Sequence, residues 1–271
     1  RSCLVLECSA GAKQPAARLG SSRVAPSRRP PDRFPPTAGD GACAALAPCR
    51  LDALPDAIRP RSRAEGYAVQ ALIEKRFSAP LWGWKIAATS TAGQAHIGVD
   101  GPLAGRIFAE RVLAPGATVP AGANRMKVAE VEFAFRFSRD LAPRARDYCV
   151  DEVLDAVGSL HVGIEIPDSR YVDFVTAGGP QLIADNACAH WFVCGHATTA
   201  DWRAIDLAAH RVRGIVEGRY ERDGIGSNCL GDPRVALAWL ANELSGVGVT
   251  LAAGQTVTTG TCVIPLEIEP G

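Results

Sequence analysis

The clearest periodicity in the chain runs from Val128 to Phe137, where apolar and polar residues alternate. Side chains of a strand leave opposite faces in turn, so Val131, Phe133, Phe135 and Phe137 point one way and Glu130, Glu132 and Arg136 the other. A second strand is predicted over His161–Ile166, with Val162, Ile164 and Ile166 on its apolar face and Glu165 opposite them. A short helix over residues 151–160 precedes it, buried through Val153, Leu154 and Val157. Trp82-Gly83-Trp84-Lys85-Ile86 reads as a strand whose apolar run meets a lysine. Further strands are expected over residues 187–193 and around Val257, ahead of Thr259-Gly260-Thr261.

Two helices are marked by their end signals. Ser62-Arg63-Ala64-Glu65 is a capping box, after which Ala64, Ala68, Ala71 and Leu72 supply one apolar face. Asp232 is the N-cap and Pro233 the first residue of a later helix, with Leu237, Ala238, Ala241 and Leu244 as its core stripe and Ser245-Gly246 at its end. Residues 1–50 show no period. They are rich in Arg, Pro, Ala, Gly and Ser and poor in acids, the composition of a disordered or non-native extension, and one that an organellar targeting segment shares. Order is expected from Leu51, and no internal repeat is present. The chain starts without Met and stops at Pro270-Gly271 in what reads as the opening of a turn, so a truncated C-terminus is expected.

Composition narrows the class. The 271 residues are 47% hydrophobic and 21% charged, as in an ordinary globular protein. Lys and Arg balance Asp and Glu at 29 each, which removes the electrostatic case for nucleic acid or an anionic membrane. No apolar run is long enough to span a bilayer. Nine scattered cysteines with no Cys-x-x-Cys pair fit reduced thiols better than a disulfide framework, so a cytoplasmic setting is expected.

The candidate chemistry lies in the carboxylates. Glu130 and Glu132 leave one strand face about 7 Å apart at Cα, close enough for both tips to meet one cation. Glu165 also opposes its apolar neighbours on the second strand. Like charges held 4 Å apart at an effective dielectric of 20 repel by roughly 4 kcal/mol per pair, a cost a divalent cation removes. Oxygen ligands without His or thiolate favour Mg²⁺ or Mn²⁺ over zinc. A solvated strand edge would show the same Glu-x-Glu pattern, and pattern alone leaves Glu165 unplaced relative to the pair. Cys188, His190, Cys194 and His196 would share one strand face but lack zinc-knuckle spacing, and Gly224-x-Gly226 lacks the strand–turn–helix setting of a dinucleotide fingerprint.

Six segments in order carry a resemblance. They are Gly83-Trp84-Lys85-Ile86, Val128-Ala129-Glu130-Val131-Glu132-Phe133-Ala134 and Ile164-Glu165-Ile166-Pro167-Asp168-Ser169-Arg170. Ala184-Asp185-Asn186-Ala187, Gly226-Ser227-Asn228-Cys229-Leu230-Gly231-Asp232-Pro233 and Thr259-Gly260-Thr261 complete them. Over roughly residues 51–271 the chain resembles the 2-keto-4-pentenoate hydratase and 4-oxalocrotonate decarboxylase group of the fumarylacetoacetate hydrolase superfamily. The resemblance implies an α+β fold, a mixed β-roll over 81–271 preceded by a helical region over 51–80. It implies that Glu130, Glu132 and Glu165 hold Mg²⁺ or Mn²⁺, and that a small 2-oxo acid binds there through its carboxylate and 2-oxygen.

By the same resemblance Lys85 and Asp185 are catalytic. Lys85, Ser169, Arg170, Asn186 and Ser227 contact substrate, and the protein is a homo-oligomer. The implied reaction is hydration of a 2-hydroxydienoate to a 4-hydroxy-2-oxo acid. Decarboxylation of a 2-oxo-enedioate is the alternative, because Pro102-Leu103-Ala104-Gly105 puts Leu103 where hydratases of the group often carry an acid. A C–C hydrolase would need a His–Glu pair on a lid, for which His96 and Glu110 are the candidates between Lys85 and the Glu-x-Glu. An inactive binding subunit is the non-enzyme reading.

Overall fold

Two sheets carry the fold. The computed structural model describes residues 3–9, 22–25, 50–120 and 122–269. In chain order the strands are β1 (Cys3–Ser9), β2 (Ser22–Ala25), β3 (Leu81–Ala87), β4 (Leu103–Phe108), β5 (Val112–Leu113), β6 (Val119–Pro120) and β7 (Val128–Phe137). They continue with β8 (Val157–Ile166), β9 (Trp191–Cys194), β10 (Arg211–Val216), β11 (Tyr220–Ile225), β12 (Thr256–Thr261) and β13 (Leu266–Glu267). The helices are α1 (Arg63–Ala71), α2 (Thr91–His96), α3 (Val150–Asp155), α4 (Gly179–Ala184) and α5 (Pro233–Gly246). The larger sheet runs β4-β3-β12-β7-β8-β9-β5, with β13 also on β7, and the smaller runs β11-β10-β1-β2-β6. This mixed, curled sheet with a few short helices is the expected α+β class.

β7 spans Val128–Phe137 and alternates as its sequence predicts. Val131, Phe133, Phe135 and Phe137 are all buried in the main core with Leu237, Leu240, Ala241 and Leu244 of α5. Each such side chain contributes roughly 1.5–3 kcal/mol, so the register that buries them is strongly selected. Fixing that face fixes the other, where the acids stand. α5 has the predicted cap, with the Asp232 carboxylate accepting from Arg234 N at 2.8 Å.

Several local expectations change. Ser62 does cap α1, but Glu65 accepts from Arg61 N instead of reaching back to Ser62 N. The predicted apolar face of α1 is exposed; the helix buries Gly66, Tyr67 and Gln70 instead. Tyr67 donates to Glu243, and Gln70 donates to Ala104 O and Ile183 O, so these polar residues are buried with their hydrogen bonds made. An apolar count passes over such residues. The helix expected over 151–160 stops at Asp155, because β8 starts at Val157, where it pairs with Phe137. The strand expected from Ala187 begins only at Trp191, because Asn186, Ala187 and Cys188 take left-handed φ of 59°, 48° and 62°. Cys188 and Cys194 therefore do not stand on one strand. Within residues 1–50, β1 pairs with β10 and β2 with β6, where no strand was expected; the rest of that segment up to residue 49 lies outside the described residues.

Candidate active site

Strand register assembles the acids. Glu130 on β7 faces Glu165 on β8 across the ladder, and Glu132 faces Gly163. Oxygen atoms of the three carboxylates lie within 4.8 Å of one another, and this is the one group of three or more potential metal ligands among the described residues. Lys85 on β3 pairs with Thr258 on β12, which pairs with Ala134 on β7. Ala134 shares the face of Glu132, so the register carries the lysine to that face. The buried Lys85 Nζ lies 3.1 Å from Glu165 Oε1 and donates to Ala187 O at 3.0 Å. Ala187 is in the left-handed run, and three successive non-glycine residues in that conformation store strain of order 1 kcal/mol or more each. That strain aims a backbone carbonyl at the lysine.

The electrostatics of this cluster are those of a binding site. Burial lifts the Glu130 carboxyl to about 7, with the Glu165 charge adding to the rise and Lys85 opposing it. Burial and the neighbouring acids likewise hold Glu132 well above the ordinary range, and burial raises Glu165. Burial alone would lower the Lys85 pKa, but Glu165, Glu130 and Glu132 together outweigh it and raise it. Glu132 Oε2 accepts from Gly260 N at 3.1 Å, while Glu132 Oε1 and Glu165 Oε2 are buried without a hydrogen-bond partner among the described residues. Buried carboxylate oxygens left unbonded and converging at this distance fit a hard divalent cation.

A second polar cluster adjoins the first. Asp185 accepts from Ser169 Oγ at 2.6 Å and Arg170 N at 3.0 Å, and forms an ion pair with the Arg170 guanidinium. Burial raises the Asp185 pKa against the pull of Arg170. Asn186 uses its whole amide on the backbone of β4, accepting from Arg106 N at 2.6 Å and donating to Arg106 O at 2.8 Å. Ser227 is exposed in the turn after β11 and enters the hydrogen-bond network through its backbone.

No family model matches the chain. The chain is 30% identical over 229 residues to 2-keto-4-pentenoate hydratase of Paraburkholderia xenovorans (strain LB400), an alignment covering 83% of this chain and 82% of that protein. It is 32% identical over 246 residues to 2-keto-4-pentenoate hydratase 2 of Dechloromonas aromatica (strain RCB), covering 86% and 91%. The chain belongs to the 2-keto-4-pentenoate hydratase family. Its fold is shared with the 4-oxalocrotonate decarboxylase of Pseudomonas putida G7 solved with magnesium and adipate, at a TM-score of 0.72 and 24% identity over 82% of this chain and 84% of that one.

Within this hydratase-family chain the residues set aside earlier have ordinary employment. Glu110 accepts from Ser78 N, Ser78 Oγ and Ala79 N, while His96 packs against Phe174, so no His–Glu pair forms. Leu103 is buried on β4 in the main core. His161 bonds Ser159 Oγ and Gly195 O. His196 is exposed. Sequence reasoning missed Gly260 as the donor to Glu132 and Ala187 as the acceptor for Lys85. Both act through backbone atoms, which leave no residue-type signal. No helix among the described residues is long and apolar enough to cross a membrane.

Proposed function

We propose that this protein hydrates a 2-hydroxydienoate to a 4-hydroxy-2-oxo acid, in the breakdown of an aromatic or similar compound. The observation that carries the reading is the Glu130–Glu132–Glu165 cluster, with Glu132 and Glu165 buried, Glu130 half-buried and Lys85 bonded into it. These glutamates would hold Mg²⁺ or Mn²⁺, which supplies Lewis-acid stabilisation of the negative charge a 2-oxo acid develops as its dienol ketonises.

The chain's own groups do the rest. An ammonium carries three donors. Lys85 spends two on Glu165 and Ala187, leaving one for the substrate carboxylate. The fixed Ala187 carbonyl and Glu165 hold that donor still, so it needs no reorganisation when charge develops. Asp185 acts by holding Ser169 and the Arg170 backbone in place, and we assign Ser169, Arg170 and the exposed Ser227 to substrate contact. Asn186 acts on the site by locking β4 against the left-handed turn.

Protein supplied with Mg²⁺ and 2-hydroxypenta-2,4-dienoate should abolish the dienol's ultraviolet absorbance and yield the 4-hydroxy-2-oxo acid. A folded protein that leaves the dienol untouched refutes the reading. Burial of Leu103, which has no proton to exchange, favours a second reading, decarboxylation of a 2-oxo-enedioate. Release of CO₂ from 4-oxalocrotonate separates the two.

A further inference from the structure

We infer that Thr258 is a positioning residue of the metal site: its hydroxyl donates to the Glu132 carboxylate and, with the Gly260 N–H, makes a two-point clamp that holds Glu132 toward the cation. The inference rests on the metal reading above and deepens it with a residue outside the ligand set.

The first observation is register. Thr258 pairs with Lys85 across the parallel β12–β3 ladder and with Ala134 across the antiparallel β12–β7 ladder. Paired residues send their side chains to one face, so Thr258 stands on the face of Lys85 and Ala134. Glu132 precedes Ala134 by two residues and shares that face. It is therefore the diagonal neighbour of Thr258, at a spacing that a long side chain spans.

The second observation is a pair of unspent atoms. Thr258 is fully buried, and its Oγ1 has no hydrogen-bond partner among the described residues. Glu132 Oε1 is in the same condition. The next threonines along the chain have spent their hydroxyls, Thr259 on Phe133 O at 3.3 Å and Thr261 on Val263 O at 2.7 Å. A buried hydroxyl in a native fold calls for a partner. Lys85 can only donate, whereas Glu132 accepts. Burial, then Glu165 and Glu130, raise the Glu132 pKa, and the Thr258 hydroxyl pulls against them as a donor to the carboxylate does. A donor and an acceptor that each lack a partner satisfy each other in one bond. An ionised carboxylate has about four lone-pair sites, so Glu132 can take both donors and still bind a cation.

The third observation is the backbone. The β12–β7 ladder shifts register between Thr258 and Thr261. Within that shift Gly260, at a φ of 90°, turns its N–H to Glu132 Oε2 at 3.1 Å. The Thr89 side chain fills the space where a Gly260 Cβ would stand, which wedges this arm of the clamp in place. Irregularities of this kind re-aim groups beside active sites. Here the shift brings two donors from one strand, residues 258 and 260, to one carboxylate. A donor behind a ligating carboxylate fixes its orientation, and its loss typically weakens metal binding about 10- to 100-fold.

The test is calorimetric titration of Mg²⁺ into EDTA-treated wild type, Thr258→Val, Thr258→Ser and Thr258→Ala. Thr258→Val keeps the branched shape and removes the hydroxyl, Thr258→Ser keeps the hydroxyl and removes the methyl, and Thr258→Ala removes both. Thr258→Val should weaken Mg²⁺ binding at least about tenfold, and Thr258→Ser less than about threefold. Thr258→Ala should bind Mg²⁺ at least about tenfold more weakly than Thr258→Ser, a comparison that stands if Thr258→Val does not fold. Wild-type affinity in Thr258→Val, or an equal loss in Thr258→Ser and Thr258→Ala, makes Thr258 a packing residue and overturns the clamp. If wild type takes up no Mg²⁺, the metal reading itself has failed and the clamp falls with it.

Discussion

Lys85 Nζ stands 3.1 Å from Glu165 Oε1 with both side chains buried, so the only lysine of the cluster and its third acid are a single electrostatic unit. Removing one partner of a buried pair costs about 3–5 kcal/mol when the other charge stays unpaired. Here the acids can escape part of that by taking up a proton. Lys85→Met should therefore destabilise the protein by about 1–3 kcal/mol near neutral pH, less in acid, in denaturant titrations. Its kcat/KM for the dienol should fall at least about 100-fold, near 3 kcal/mol of lost transition-state stabilisation. A variant with wild-type turnover would remove Lys85 from the chemistry.

The pH dependence of the metal-free protein follows from the raised acids. Glu130 is lifted to about 7, chiefly by burial and then by Glu165, and Glu132 and Glu165 are raised too. An acid whose folded pKa exceeds its unfolded value near 4.3 binds more protons when folded. Its stabilisation is fully present below the unfolded value and is lost as pH rises through the folded one. Melting of EDTA-treated protein should thus fall between about pH 4.5 and 7 from these groups. Cations compete with those protons, so Mg²⁺ should raise Tm more at about pH 8 than at about pH 5.5. A shift that is larger in acid would contradict the assignment of these acids as ligands.

Gly83 holds the parallel seam that delivers the lysine. It pairs with Thr256, and a Cβ at position 83 would overlap the Thr256 backbone carbonyl. Backbone cannot give way as a side-chain tip can, so Gly83→Ala should separate β3 from β12 and cost about 3 kcal/mol or more. Loss of Lys85 placement should lower turnover beyond what the remaining folded fraction explains. Thermal melts with activity per folded molecule decide it.

Asn186 substitutes for a missing strand neighbour by bonding both Arg106 N and Arg106 O. Asn186→Ala leaves both buried groups unsatisfied, at about 1–3 kcal/mol for each if no water enters. Denaturant titration should show this loss, and kcat should fall with it because residues 186–188 aim Ala187 O at Lys85. A stable variant with full activity would reduce the left-handed turn to a connection without influence on the site.

What the sequence made legible was whatever one strand or helix decides by itself. β7 was readable because a single buried face dictates its alternation, and α5 because Asp232 and Pro233 mark its start within three residues. The pairing of Glu130 with Glu165 was not readable, since register across two strands separated by α3 is set by the fold as a whole. α1 was assigned the wrong face because Tyr67 and Gln70 are buried through hydrogen bonds that no hydropathy period records. β4, buried at all six positions, alternates nothing, and its Leu103-Ala-Gly-Arg-Ile-Phe stretch shows no period to detect. The sequence reads as strand from Ala187, but residues 186–188 are three left-handed residues in a row, held by bonds to Arg106, Lys85 and Asp168 that only the tertiary structure supplies.

The central claim is that Glu130, Glu132 and Glu165 hold a divalent cation on which dienol hydration depends. The most direct measurement is the initial rate of 2-hydroxypenta-2,4-dienoate consumption against Mg²⁺ concentration, for EDTA-treated wild type and for Glu132→Gln, an exchange that keeps shape and removes charge. The account predicts saturable activation of wild type from a near-zero baseline, with Glu132→Gln needing at least about tenfold more Mg²⁺ or remaining inactive. Full activity of the EDTA-treated wild type, or an unchanged Mg²⁺ response in Glu132→Gln, would contradict it.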